Sequence, residues 1–216
     1  MSKRNIFKSL PLIAFLLITT VVNAQNIDIR ILRDINLNRN QSLDPTFKTI
    51  SNSVNTISIA TPAVIYSLGL LKHDKDLKQA GVFIGETFLV NTIITTGLKR
   101  GLQRPRPFIT YPDLDKQSAG GSYSFPSGHT SDAFSTATAV SMTFPKWYVV
   151  APSFLWASAV GYSRMDLGVH YPTDVLAGAI VGCGTAFLTQ KLNHWINTKT
   201  KTGMFFEHHH SSIHHS

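Results

Sequence analysis

Five apolar segments occupy most of residues 54–192 and limit what this chain can fold into. They run over 54–71, 80–98, 131–144, 147–162 and 175–192, interrupted only by small or amide side chains and by single charges such as Glu86, Asp132 and Lys191. None shows the period-two alternation of a half-buried strand, and their lengths suit helices, so the chain is expected to form an all-α bundle of about five long apolar helices.

The solvent of that bundle follows from where the polar residues are missing. A helix on the surface of a soluble bundle carries a polar stripe, yet 80–98 offers only Glu86, Asn91 and threonines, and 147–162 offers only serines. A chain of 216 residues has too little interior to bury five such helices in water. Charged residues make up 15% of the sequence where about a quarter is usual. A membrane-embedded bundle is therefore expected, with a soluble periplasmic bundle as the alternative. That alternative draws on segments shorter than the ~20 residues of a standard span, and on 131–144, which is rich in Ser and Thr. Lysines 72, 75, 78 and 146 would face one side, but at least as many cations face the other, so charge bias assigns no orientation.

Lys3, Arg4 and Lys8 precede an apolar run over 10–22, and Val22-Asn23-Ala24 places small side chains where a signal peptidase reads. Residues 1–24 are expected to be a signal peptide cleaved after Ala24, the alternative being a retained first membrane helix. Removing the three cations lowers the formal charge from +8 to +5. A basic exported protein suits anionic lipid or phosphorylated ligands, and export makes nucleic acid the poorest fit. Residues 25–53 are polar, with Ile27, Ile31 and Ile35 spaced for a short amphipathic helix on the membrane surface or capping the bundle. Residues 54–195 then form the main domain. The tail 196–216 holds five of the histidines and is expected to be disordered rather than a metal site. Cys183, the one cysteine, reads as a small buried residue.

Three polar patches sit at the ends of these segments. The first, residues 99–107, gathers Lys99, Arg100, Arg104 and Arg106, whose mutual repulsion invites an anion or acidic headgroups. The second, Phe125-Pro126-Ser127-Gly128-His129-Thr130, opens a helix whose first N–H groups, those of Ser127, Gly128 and His129, would point outward. The third runs from Ser163 to Asp174 and holds Arg164, Asp166, His170 and Asp174. Pro172 suits a first helical turn, and a helix starting there brings Asp174 within reach of His170, fixing its tautomer. Two segments separate His129 from Arg164, and the first patch reaches the second through one loop, so all three patches can share a pocket.

Taken together, Lys99 followed after six residues by Arg106-Pro107, then Pro126-Ser127-Gly128-His129, then Ser163-Arg164 with His170 and Asp174, resemble the three-part signature of the type 2 phosphatidic acid phosphatase family. That family is shared with bacterial acid phosphatases and vanadium haloperoxidases, and the resemblance spans about residues 50–195. Arg104-Pro105 does not fit the first part, because Gly97 stands where a lysine would be required. The resemblance implies a metal-independent, cofactor-free phosphatase acting on lipid phosphates at the periplasmic face of the inner membrane. It further implies His170 as the nucleophile oriented by Asp174, His129 as the acid, and Lys99, Arg106, Arg164, Ser127 and the Gly128 N–H as the phosphate cradle. A neutral His170 with a protonated His129 would produce a bell-shaped pH profile. A soluble acid phosphatase is the second reading and a vanadate-dependent haloperoxidase a third. Asp166 has no role in the signature, and Asp132 is expected to face the dipole of its helix.

Overall fold

A computed structural model describes residues 26–211, with side chains through Ile196; the expected signal peptide lies outside the described residues. Helix α1 covers residues 26–37 and a 3₁₀ turn spans Gln41–Leu43. Helices α2 (Asp44–Leu71) and α3 (Lys75–Leu102) follow, then the short α4 (Pro107–Thr110), α5 (Gly128–Thr143), α6 (Trp147–Asp166) and α7 (Pro172–Ser211). No strand occurs among the described residues. The described residues form an all-α bundle of five long helices with two short ones at one end.

Local chemistry sets the helix ends. The Asp74 carboxylate caps α3 by accepting the N–H groups of Asp76 and Leu77, and Gln103 closes it in the left-handed region at φ 48°. Pro107 and Pro172 begin α4 and α7, where a missing N–H costs nothing. α2 starts ten residues earlier than the apolar pattern suggested, because Arg39 grips Asp44 at 2.9 Å and polar residues complete its first turns. α2 and α3 are 28 residues each, about 42 Å at 1.5 Å per residue, so the segments 54–71 and 80–98 are only the apolar parts of longer helices, whereas α5 remains short at 16 residues. α7 is helical to Ser211, and residues 212–216 of the tail lie outside the described residues.

The bundle is polar and small-chained inside and apolar outside. Buried positions include Ser51, Ser58, Thr87, Asn91, Thr130 and Ser131, while Leu71, Ile93 and Leu155 are each more than 70% exposed. Water would not tolerate such a surface, whereas lipid tails would. Three helical stretches, Gln41–Leu71, Lys75–Thr110 and Pro172–Ile196, are long and apolar enough to cross a membrane. Trp147 and Tyr148 stand exposed at the start of α6, as in an interfacial aromatic belt.

Interhelical hydrogen bonds join the layers. Asn91 on α3 donates to Asp132 and accepts from Ser131, both on α5, and Thr136 on α5 donates to Ser58 on α2. Asp132 therefore bonds to a neighbouring helix one turn in, and does not serve the α5 dipole as expected. α5 and α7 approach closely at Gly178 and Gly182; a Cβ on Gly178 would stand 2.7 Å from the Ser127 carbonyl, and one on Gly182 would collide with that of Ser131. Cys183 lies beside this seam, half-buried rather than buried, and accepts a bond from Thr138.

α1 exists where the isoleucine spacing placed it, but it buries a different face. Asp28, Ile29, Leu32 and Asn36 turn inward, and Ile29 and Leu32 pack with Leu114 and Tyr171, whereas Ile27 and Ile31 remain exposed. The turns at 72–74 and 144–146 share one end of the bundle. The other end collects α1, the C-termini of α3 and α6, and the N-termini of α5 and α7.

Candidate active site

His170 sits in the short connection between α6 and α7, which is wound tightly onto the end of α6. The N–H groups of Val169 and His170 both donate to the Arg164 carbonyl, at 3.1 and 3.2 Å. Gly168 makes the turn at φ +70°, and a Cβ there would meet the Asp115 carbonyl at 2.6 Å. α7 then begins at Pro172, so Asp174 is its third residue and reaches back to accept the Tyr171 N–H at 3.0 Å. This capping geometry carries the same oxygen, Oδ2, to 3.4 Å from His170 Nδ1. The Ser124 hydroxyl donates to Oδ2 as well.

The other ring nitrogen, Nε2, lies 3.0 Å from Nη1 of Arg106. A guanidinium only donates, so Nε2 must present its lone pair and Nδ1 must carry the proton toward Asp174. Burial pushes the His170 pKa down to about 3; the Asp174 hydrogen bond opposes that shift, and the Arg106 charge adds to it. The imidazole is therefore neutral at ordinary pH, with a defined tautomer.

The remaining residues of the three patches surround this ring. Arg106 is anchored by its Nε on the Ser122 carbonyl at 2.8 Å and by Nη1 on that of Val169 at 2.9 Å. Arg164 is 2% exposed; its Nη1 donates to Ser51, and its Nε is buried with no partner. Lys99 donates to the Tyr123 carbonyl at 2.7 Å and passes beside Gly128, where its Cε lies 3.6 Å from the place a Cβ would occupy. The ring of His129 has no hydrogen bond among the described residues; burial, with the charges of Arg164, Arg106 and Lys99, pushes its pKa down to about 4, so against expectation it is neutral at ordinary pH unless a bound phosphate offsets those cations. Gly128 and His129 present N–H groups for which the first helical turn supplies no acceptor. The Ser127 N–H departs from expectation, since the Asp174 backbone carbonyl takes it at 3.0 Å. Its hydroxyl accepts from Thr130 and keeps its own proton uncommitted. Three cations, two imidazoles and two helix-start N–H groups thus converge, an arrangement suited to a tetrahedral oxyanion.

Asp166 neither pairs with an arginine nor faces solvent. It is 2% exposed, and its Oδ2 has no partner. Three residues outside the predicted set join the site. Ser124 and Arg104 bond to the Asp174 carboxylate, and Asp28 bonds to Arg104 and Thr173. Arg104 falls outside the frame of the signature, and Ser124 and Asp28 carry no local signal. A cavity of about 470 Å³ opens beside Arg106, lined by Pro105, Ile109, Gly121 and Tyr123 among others. A larger one, about 580 Å³, lies away from this cluster, between α3 and α7 around Glu86 and Asn193.

A sequence profile described as the PAP2 superfamily matches residues 80–198, more than half of the chain, and the protein belongs to that superfamily. The undecaprenyl-diphosphatase of Sulfolobus acidocaldarius is 30% identical over 57% of this chain and 60% of its own length. The lipid A 4'-phosphatase of Bacteroides thetaiotaomicron is 34% identical over 38% of this chain and 37% of its own. The matched region thus spans less than two thirds of these relatives. Among solved structures, LpxE of Aquifex aeolicus superposes with a TM-score of 0.65 at 27% identity, covering 76% of this chain and 95% of that one. The transmembrane PAP2-type phosphatidylglycerolphosphate phosphatase of Bacillus subtilis shares the fold, with a TM-score of 0.67 at 24% identity over 88% and 98% of the two chains.

Proposed function

We propose that this protein is a membrane-embedded, metal-independent phosphatase that hydrolyses lipid phosphate monoesters or diphosphates through a phosphohistidine, at the periplasmic face. The observation that carries the reading is the bare lone pair of His170 Nε2, held against the Arg106 guanidinium. A buried neutral imidazole with an outward lone pair, ringed by donors, is a nucleophile awaiting an anionic electrophile.

In the first step the phosphoryl oxygens take the donors of Arg106, Arg164 and Lys99 together with the Gly128 N–H and the Ser127 hydroxyl. His170 Nε2 attacks phosphorus in line, the bond to the leaving oxygen breaks, and His129 delivers a proton to that oxygen. The Nδ1 proton stays bonded to Asp174, which stabilises the ring as it gains positive charge. In the second step water attacks phosphorus, the P–N bond breaks, and His129 takes a proton from the water. The protein's contribution is positioning and charge stabilisation, which is what phosphoryl transfer asks of it.

Two features support a lipid substrate on the outer side. The helices expose leucines and isoleucines around their girth, and the cavity beside Arg106 has apolar walls. An export leader over residues 1–24 would leave residue 25 outside whether it is cleaved or retained, and α1 packs at the end holding the site. Chemically consistent substrates are undecaprenyl diphosphate, phosphatidate or phosphatidylglycerol phosphate, and the phosphates of lipid A; the last group and the first match what the relatives' names describe.

The test is phosphate release by detergent-solubilised protein on a lipid phosphate and on a small soluble ester, with His170→Ala as control. Preference for the lipid, abolished in the variant, is expected. Equal or better turnover of the soluble ester would favour a nonspecific acid phosphatase, and release that survives His170→Ala would overturn the assignment of the nucleophile.

A further inference from the structure

Arg104 lies outside the three-part pattern, yet it ties Asp174 to Thr173 and to Asp28 of α1. Its Nη1 donates to Asp174 Oδ1 at 2.7 Å and to the Thr173 hydroxyl at 2.8 Å, and its Nη2 donates to Asp28 Oδ2 at 2.7 Å. Its guanidinium lies over the Tyr171 ring, 3.9 Å from the centroid. Asp28 completes the arrangement from α1: Oδ1 accepts the Thr173 N–H at 2.9 Å, and Oδ2 accepts the Thr173 hydroxyl at 2.6 Å. A carboxylate from a distant helix thereby caps the first turn of α7 and pins the arginine that holds Asp174.

We propose that Arg104 and Asp28 are positioning residues which together hold the Asp174 carboxylate against His170, so that α1 is part of the catalytic assembly. The proposal rests on the phosphohistidine reading for its kinetic consequences but not for its geometry. The division of labour at Asp174 is explicit. Oδ2 accepts from Tyr171 N–H, from Ser124 and from His170, while Oδ1 accepts from Arg104. Without Arg104 the carboxylate could turn about its Cβ–Cγ bond and hold Nδ1 less firmly, while its charge stays beside the ring and loses its one ion pair with an arginine or lysine among the described residues. Asp174 and Asp28 are both buried, so unpartnered charge in either place is costly. The match to the PAP2 profile begins at residue 80, and α1 lies entirely before it.

The charges facing His170 are Asp174 from α7, Arg164 from α6 and Arg106 from the loop before α4, with Lys99 of α3 and His129 of α5 across the pocket. Arg104 acts behind Asp174. Removing Arg104 makes the carboxylate a stronger partner for a protonated imidazole, and removing the charge of Asp28 leaves Arg104 to draw more on Asp174. The two changes should move His170 in opposite directions.

The experiment uses the full chain in detergent, with ¹⁵N-labelled histidine, following the His170 ring between pH 7 and 2 and measuring kcat and KM near neutral pH. Arg104→Gln is expected to raise the His170 titration midpoint by about one unit, and to lower kcat at least tenfold while KM changes less than threefold. Arg104→Lys, which keeps the charge, should restore the midpoint to near its original value and recover part of kcat. Asp28→Asn should leave the midpoint unchanged or lower and reduce kcat severalfold. An unshifted midpoint with unchanged kcat in Arg104→Gln would overturn the proposal, as would a rise in KM alone, which would make Arg104 a substrate contact. Wild-type kinetics and titration in Asp28→Asn would remove α1 from the assembly. If Arg104→Gln fails to fold, Arg104→Lys and Asp28→Asn decide the matter. The ring titration needs no turnover, so an inactive wild type would count against the phosphatase reading and leave this one to stand or fall by the midpoint.

Discussion

Nη1 of Arg106 and Nε2 of His170 stand 3.0 Å apart, and that contact assigns both the tautomer of the histidine and the direction of its lone pair. The guanidinium occupies the line along which phosphorus would arrive. A phosphoryl oxygen would draw the same donor away from the ring and expose Nε2 as it binds. Arg106→Lys keeps a charge but loses the fork anchored on Ser122 and Val169, and about a 100-fold loss of kcat/KM is expected, comparable to removing one preorganised donor. Steady-state kinetics with a lipid phosphate would check it; a loss below tenfold would mean Arg106 does not hold the phosphoryl group.

His129 has no competing hydrogen bond and faces the cationic side of the pocket. Its proposed role as the acid makes a specific demand. His129→Ala should slow hydrolysis of an alkyl phosphate by about 100-fold or more, within the usual range of general acid catalysis, and an aryl phosphate with an acidic leaving group far less. Equal losses on the two esters would remove His129 from that role.

Burial holds the His170 pKa near 3, below the ordinary histidine value of 6.5. A group whose pKa is depressed by folding contributes stability that is present above 6.5 and is lost as pH falls from 6.5 toward 3, because the unfolded chain takes up the proton first. The thermal midpoint in detergent should therefore drop through that window. His170→Asn should show a shallower drop, and parallel curves would contradict the burial argument.

The close approach of α5 and α7 depends on having no side chain at Gly182. Gly182→Val should destabilise the bundle by roughly 1–3 kcal/mol, as overpacking in a tight interior commonly does, and lower the thermal midpoint. Gly184, whose Cβ would meet nothing within 4 Å, is the internal control, and its change to Ala should be close to neutral. Ala and Val both favour a helix over Gly, so a similar loss at both positions would remove the close approach at Gly182 as the cause.

Much of the architecture was legible because helices of apolar residues announce themselves by length and by the scarcity of charge. The boundaries were less so: α2 and α3 extend beyond their apolar middles, since polar residues continue a helix into the interface as readily as they end it. The isoleucines of α1 misled for a physical reason. In a bundle whose outside is apolar, hydrophobic periodicity marks the outward face as readily as the core. Asp28 and Asn36, which look like solvent-facing residues, are the ones buried, because Thr173, Arg104 and the backbone of 115 and 166 satisfy them.

The sequence by itself determined the all-helical class and the placing of three polar patches at helix ends on one side, because helix period and the reversal of direction at each turn are local properties. It also carried the residue types and spacings that put His170 one helical turn before Asp174. Tertiary structure alone decided which donors are spent and which are open: that the Ser127 N–H is taken by Asp174, that Nε2 faces Arg106, and that Arg104 and Asp28 stand behind the carboxylate. Those partnerships join residues 47 to 76 positions apart, and a hydrogen bond forms or fails over a few tenths of an ångström. No local pattern encodes such a distance; it is set by how closely the helices pack.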